Sequence, residues 1–181
     1  MKSMKKILIV IDYQKDFVNG ALGFDGAESL DDKIAQKVRD FGKGNVFYTL
    51  DTHDENYLQT CEGKHLPIVH CVKGAGGWAL FGQTAAALQD VDAIGFEKTG
   101  FGLQITPEIL KVLPENPDSI ELVGLVSNIC VLSNAVIFKT WFSESEIIVD
   151  ASCTDSFDKS LHTQALNVLE GLQVKVINRE E

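Results

Sequence analysis

Glu-Leu-Val-Gly-Leu-Val-Ser-Asn-Ile-Cys-Val-Leu-Ser-Asn-Ala-Val, residues 121–136, reads as a strand, a turn and the start of a helix. The strand, Ser119 to Gly124, is apolar and ends on a glycine. From Ile129 onward, apolar residues at 131, 132, 135, 136 and 138 follow helical spacing. Ser127 and Asn128 are residue types that cap helix N-termini. The reading puts Cys130 in the first turn of a helix after a strand end, where free N–H groups and the helix dipole favour a thiolate. A buried structural cysteine is the competing interpretation.

Working outward, the same alternation covers the chain. Strands are expected at 7–11, 46–50, 93–96, 119–124, 146–149 and 173–177. Helices are expected at 29–41, 84–88, 106–113, 129–143 and 160–172. The β-α order predicts one domain, residues 1–181, with a three-layer α/β/α Rossmann-like fold and a mostly parallel sheet. Ligands bind such sheets beyond the carboxyl ends of the strands. Asp12, Asp51, Lys98 and the 125–130 turn are all predicted at that edge. The irregular stretch from Asp51 to about Gly82 is long for a compact domain, and such loops are usually functional.

Composition narrows the function. A net charge of −10 over 181 residues, with no compensating Lys/Arg cluster, argues against nucleic acid and anionic membrane as partners. The basic opening, residues 1–6, leads into too short an apolar run for a signal peptide or membrane span. Four cysteines without a Cys-x-x-Cys pair or secretory signal suggest reduced thiols and the cytoplasm. The absence of a Gly-x-Gly-x-x-Gly or Gly-Lys-Ser/Thr loop disfavours a nucleotide cofactor.

Asp12 directly follows an aliphatic run, and a carboxylate so close to a buried strand needs a cation or hydrogen-bond donors. Lys98 ends another short strand and could supply the cation. The pair is either a structural salt bridge or part of a machine in which Asp12 takes the thiol proton and Lys98 holds the charge. Asp51, His53 and His70 are ligand types suited to zinc, iron or manganese.

Three motifs, in order, carry a family resemblance. Ile-Asp-Tyr-Gln-Lys-Asp-Phe (11–17), Lys98 before Thr-Gly-Phe-Gly, and Gly-Leu-Val-Ser-Asn-Ile-Cys-Val (124–131) resemble the signature of the isochorismatase-like cysteine hydrolases, and within them the nicotinamidases. The resemblance implies Asp12, Lys98 and Cys130 as catalytic residues. It also implies a cis peptide at Leu125–Val126 and an oxyanion hole from the N–H groups of Val126 and Cys130. A divalent metal is implied on Asp51, His53 and His70, with Glu62 as fourth ligand and His65 as the other candidate. Phe17 matches the position that stacks on the substrate ring. Where many nicotinamidases have an aromatic, three residues before the later metal histidine, this chain has Pro67; Trp78 and Phe101 are the candidates to replace it. The implied reaction is hydrolysis of nicotinamide to nicotinate through a thioester. Another small amide, carbamoyl or ureido substrate is the alternative, and a non-catalytic binding protein of the same fold a further one. Family members commonly form homo-oligomers, dimers or tetramers.

Overall fold

The computed structural model describes residues 4–179; residues 1–3 and 180–181, which fall within the expected domain and opening segment, lie outside the described residues. In chain order the elements are β1 (Lys6–Ile11), α1 (Lys15–Val18), α2 (Asp31–Phe41), β2 (Val46–Asp51), α3 (Cys61–His65), α4 (Gly82–Asp90), β3 (Ile94–Lys98), α5 (Pro107–Val112), β4 (Ser119–Leu125), α6 (Leu132–Trp141), β5 (Glu146–Asp155), α7 (Lys159–Gly171) and β6 (Lys175–Ile177). The six strands form one sheet in the order β3-β2-β1-β4-β5-β6, and every pairing is parallel.

Side chains alternate across each strand. Ile7, Ile9 and Ile11 therefore enter one core with Leu122, Phe138 and Leu166, under α6 and α7. Leu8 and Val10 enter the other with Ile34, Val38 and Leu88, under α2 and α4. Burial on both faces explains why β1 is a continuous apolar run.

The chain order reverses between β1 and β4, so a crevice opens there at the carboxyl edge. Gly124 makes this pairing possible. Its φ is +109°, and a Cβ would sit 2.1 Å from the Ile11 carbonyl oxygen. β5 runs beyond the expected end at residue 149. Leu122 faces Val149 but Gly124 faces Thr154, so residues 150–153 bulge and the strand resumes to Asp155. Among the described residues, no helix is long and apolar enough to cross a membrane.

Candidate active site

Asp12 follows the end of β1, Asp51 and Lys98 end β2 and β3, and the 126–131 turn follows β4. Parallel pairing places Asp51 beside Lys98. Asp51, Val126 and Cys130 line a cavity of about 880 Å³, and Asp12 and Lys98 are buried behind that lining.

Lys98 Nζ lies 2.7 Å from Asp12 Oδ2, 3.6 Å from Cys130 Sγ and 3.3 Å from Asp51 Oδ1, and donates to the Gly100 carbonyl at 2.9 Å. Asp12 is fully buried, with φ +45°. Thr49 Oγ1 donates to Asp12 Oδ1 at 2.6 Å and accepts from the Asp12 N–H at 3.2 Å. Oδ2 lies against the ammonium, whose charge and hydrogen bonding both favour the carboxylate form. Burial raises the Asp12 carboxyl against the pull of Lys98, making it a stronger base than an exposed aspartate.

Cys130 departs from the sequence reading in two ways. Residues Ser127–Val131 form a wide helical turn, and α6 begins only at Leu132. The N–H groups of Val131 and Leu132 reach back five residues, to the carbonyls of Val126 and Ser127. Ser127 and Asn128 do not cap it: the capping position is Val126, with no side-chain bond. The thiol is also pushed well up rather than down. Burial is the largest cause, then the Asp12 charge; Lys98 opposes them and Asp51 adds to them. A helix start cannot offset two buried carboxylates beside a thiol without water.

Leu125–Val126 is a cis peptide, as the resemblance implies. Val126 and Cys130 line the cavity. Asn134 fixes this region: Nδ2 donates to the carbonyls of Cys130 (2.8 Å) and Phe101 (3.1 Å), and Oδ1 accepts from the Leu103 N–H (3.0 Å).

Beside the thiol, Asp51, His53, Glu62 and His70 each offer one ligand atom, all within 4.8 Å of one another. His53 Nε2 is 3.0 Å from Asp51 Oδ2 and 3.8 Å from Glu62 Oε1; His70 Nε2 is 3.5 and 3.9 Å from the same atoms. Four ligands about 2.0–2.2 Å from a tetrahedral ion stand roughly 3.3–3.6 Å apart, so the set is close to coordination size. His70 Nδ1 lies 2.8 Å from the Ile68 carbonyl, which only accepts, so that nitrogen carries a proton and Nε2 is the atom that faces the cluster; Asp51 favours a second proton on Nε2, which metal binding would release. The residues present thus fit a divalent ion. Burial raises Glu62, helped by the Asp51 charge. Asp51 is held below the ordinary carboxylate range: burial opposes this, but hydrogen bonds from His53 and His70 and the Lys98 charge outweigh it.

The irregular segment carries three of the four ligands. His53 N–H donates to the Cys71 carbonyl at 3.0 Å and Lys73 N–H to the His53 carbonyl at 2.9 Å, which ties the two histidine loops together. Asp16 Oδ2 accepts from the Cys71 N–H at 2.8 Å, and a Cβ on Gly77 would meet that carboxylate at 2.1 Å. Gln14 clamps β2, with Oε1 accepting from the Asp51 N–H and Nε2 donating to the Asp51 and Trp78 carbonyls. Sequence reasoning missed Thr49, Asn134, Asp16 and Gln14. Thr49 and Asn134 are polar side chains set in largely apolar stretches, and Gln14 and Asp16 lie inside the 11–17 motif itself.

Phe17 and Phe101 line the cavity, and the Phe17 ring stands 5.5 Å from that of His70. Trp78 does not line it. Its indole N–H donates to Thr52 Oγ1 at 2.9 Å and its carbonyl serves Gln14, so the residue braces the loop. His65 faces the cavity but stays outside the ligand cluster, its Nδ1 2.8 Å from the Cys61 carbonyl.

Known proteins share this arrangement of strands. A pyrazinamidase/nicotinamidase of Streptococcus mutans UA159 is 28% identical, with a TM-score of 0.83 over 95% of this chain and 99% of its own. The nicotinamidase/pyrazinamidase PncA of Bacillus subtilis is 27% identical, with a TM-score of 0.83 over 96% and 99%. A pyrazinamidase of Pyrococcus horikoshii, solved in complex with zinc, has the same fold at 20% identity, with a TM-score of 0.80 over 97% and 99%. An uncharacterized isochorismatase family protein PncA of Bacillus subtilis strain 168 is 28% identical over 174 residues, 91% of this chain and 93% of that protein. The isochorismatase domain profile matches residues 6–181, and the chain belongs to that family.

Proposed function

We propose that this protein is an amide hydrolase that converts nicotinamide to nicotinate and ammonia through a thioester on Cys130. The observation that carries the reading is the single ammonium of Lys98, buried between the Asp12 carboxylate and the sulfur of Cys130, which lines the cavity. The 27–28% identical nicotinamidases support the amide as substrate class.

The thiol is protonated at rest, and Asp12 is the base that faces it. Asp12 takes the thiol proton as sulfur attacks the carboxamide carbon, so the net charge beside Lys98 does not change. The tetrahedral oxyanion rests on the N–H groups of Val126 and Cys130. Its collapse breaks the C–N bond, and Asp12 returns the proton to the leaving nitrogen, which departs as ammonia. Asp12 then takes a proton from water as that water attacks the thioester, and nicotinate leaves as the thiol is restored. Asp51, His53, Glu62 and His70 would hold a divalent ion (zinc, iron or manganese), which when bound supplies a Lewis-acid site that orients the substrate. Phe17, beside His70, packs against the ring.

Ammonia release from a panel of nicotinamide, aliphatic amides and ureido compounds tests the reading, before and after chelation. Nicotinamide should lead the panel, and metal removal should lower its turnover at least tenfold, with recovery on adding back zinc or manganese. A preference for ureido compounds, or turnover indifferent to thorough metal removal, contradicts it.

A further inference from the structure

A second polar constellation lies behind the nucleophile turn. Ser127 Oγ, fully buried, shares a hydrogen bond with His162 Nδ1 of α7 at 2.9 Å. The same nitrogen stands 3.8 Å from Asp155 Oδ1. Serine, histidine and aspartate together invite a catalytic reading, but a relay needs the two imidazole nitrogens to face different partners. Here one nitrogen faces both, and the hydroxyl does not open to solvent. The group acts on the turn instead.

That turn needs outside support. Windings that reach back five residues are rare, and the regular helix competes with them. Within 127–131 no side chain caps the start. Asn134 holds the Cys130 carbonyl on one side, and His162 holds the Ser127 side chain on the other. Asp155 stands beside His162 beyond hydrogen-bond reach: it lies at the end of β5 opposite Leu125, and is bound by Lys159 and by the Ser156 N–H at 2.8 Å. Asp155, Lys159 and Arg179 are the charged groups acting on His162.

We propose that His162, through the Ser127 hydroxyl, is a positioning residue that keeps the 127–131 turn wound so that Cys130 meets Asp12 and Lys98. Displacing a reacting group by about 1 Å can cost on the order of a hundredfold in rate.

The inference rests on Cys130 being the nucleophile, so its test reads that thiol without substrate. The measurement is the rate of Cys130 alkylation by iodoacetamide at pH 7, followed by peptide mapping in the full-length protein. His162→Asn keeps a polar atom near the Nδ1 position, whereas His162→Gln places it near Nε2 and His162→Leu has none. Alkylation should stay within about threefold of wild type for Asn and fall at least tenfold for Gln and Leu. Ser127→Ala should match the Leu variant, and the double variant should lose no more. In turnover the loss should appear in kcat, with KM within twofold. Wild-type alkylation in His162→Leu overturns the proposal, and so does an equal loss in all three variants that tracks the melting temperature. Failure of the wild type to release ammonia while this rescue pattern holds counts against the amide substrate, not against the positioning role.

Discussion

In the proposed reaction Asp12 and Cys130 exchange one proton beside Lys98, where all three are buried, and the chemistry depends on how well Asp12 is aimed. Thr49 does the aiming through its 2.6 Å bond to Oδ1. A hydrogen bond to a charged group is worth about 1.5–3 kcal/mol, so Thr49→Val should lower kcat/KM for nicotinamide roughly tenfold to a hundredfold. Steady-state kinetics on the folded variant check this. The three central residues were legible because each ends or follows a strand within a recognisable run. Thr49 was not, because a threonine inside Val-Phe-Tyr-Thr-Leu-Asp looks like ordinary strand composition. Asn134 and the Ser127–His162 pair were hidden for a similar reason: their partners are distant in sequence. Trp78 was misread, since an aromatic in a functional loop can as easily brace it as line it.

At the scale of elements, the β5 bulge explains why sequence patterning ended that strand early. Asp150-Ala-Ser-Cys has the composition of a turn. Asp150 does accept from the Ser152 N–H and Oγ in a turn-like arrangement, but the strand resumes. Lys37 of α2 reaches this bulge and pairs with Asp150 at 2.6 Å and Glu121 at 2.5 Å. Burial would raise the Asp150 carboxyl, but hydrogen bonds from Lys37, Ser152 and Asn178 outweigh it and hold it low. A depressed carboxyl stabilises the fold above its unfolded pKa, and that contribution is lost as pH falls through the folded value. Denaturation midpoints should therefore drop as pH is lowered below about 4. Lys37→Met leaves two carboxylates without their cation and should cost about 3 kcal/mol at pH 7. The cost should shrink in acid, where the carboxylates protonate. Urea titrations at both pH values measure the difference.

For the whole molecule, strand order was legible at the level of class. Alternating β and α runs announce a parallel sheet with two helical layers, because such strands are apolar on both faces. The order β3-β2-β1-β4-β5-β6 was not stated by the pattern, although it places the crevice where Asp12 and Cys130 meet. Gly124 is where the two halves of the sheet join, with positive φ and no room for a Cβ against Ile11. Gly124→Ala should destabilise the protein by about 3 kcal/mol or more, and activity should fall even in the fraction that folds. Thermal melting and activity per folded molecule separate the two effects. The candidate metal cluster lies to one side of this join, on β2 and the loop after it: Asp51 gives one oxygen to the histidines and the other to Lys98, which also lies against Cys130, so one carboxylate links the cluster to the lysine beside the thiol.

The central claim is that sulfur, not water, attacks the amide first. The most direct measurement is product partitioning with hydroxylamine, which intercepts an acyl-thioester. With nicotinamide, the wild-type protein should yield nicotinohydroxamate alongside nicotinate, and Cys130→Ala should yield neither. Nicotinate without hydroxamate, or turnover by Cys130→Ala at the wild-type rate, would contradict it.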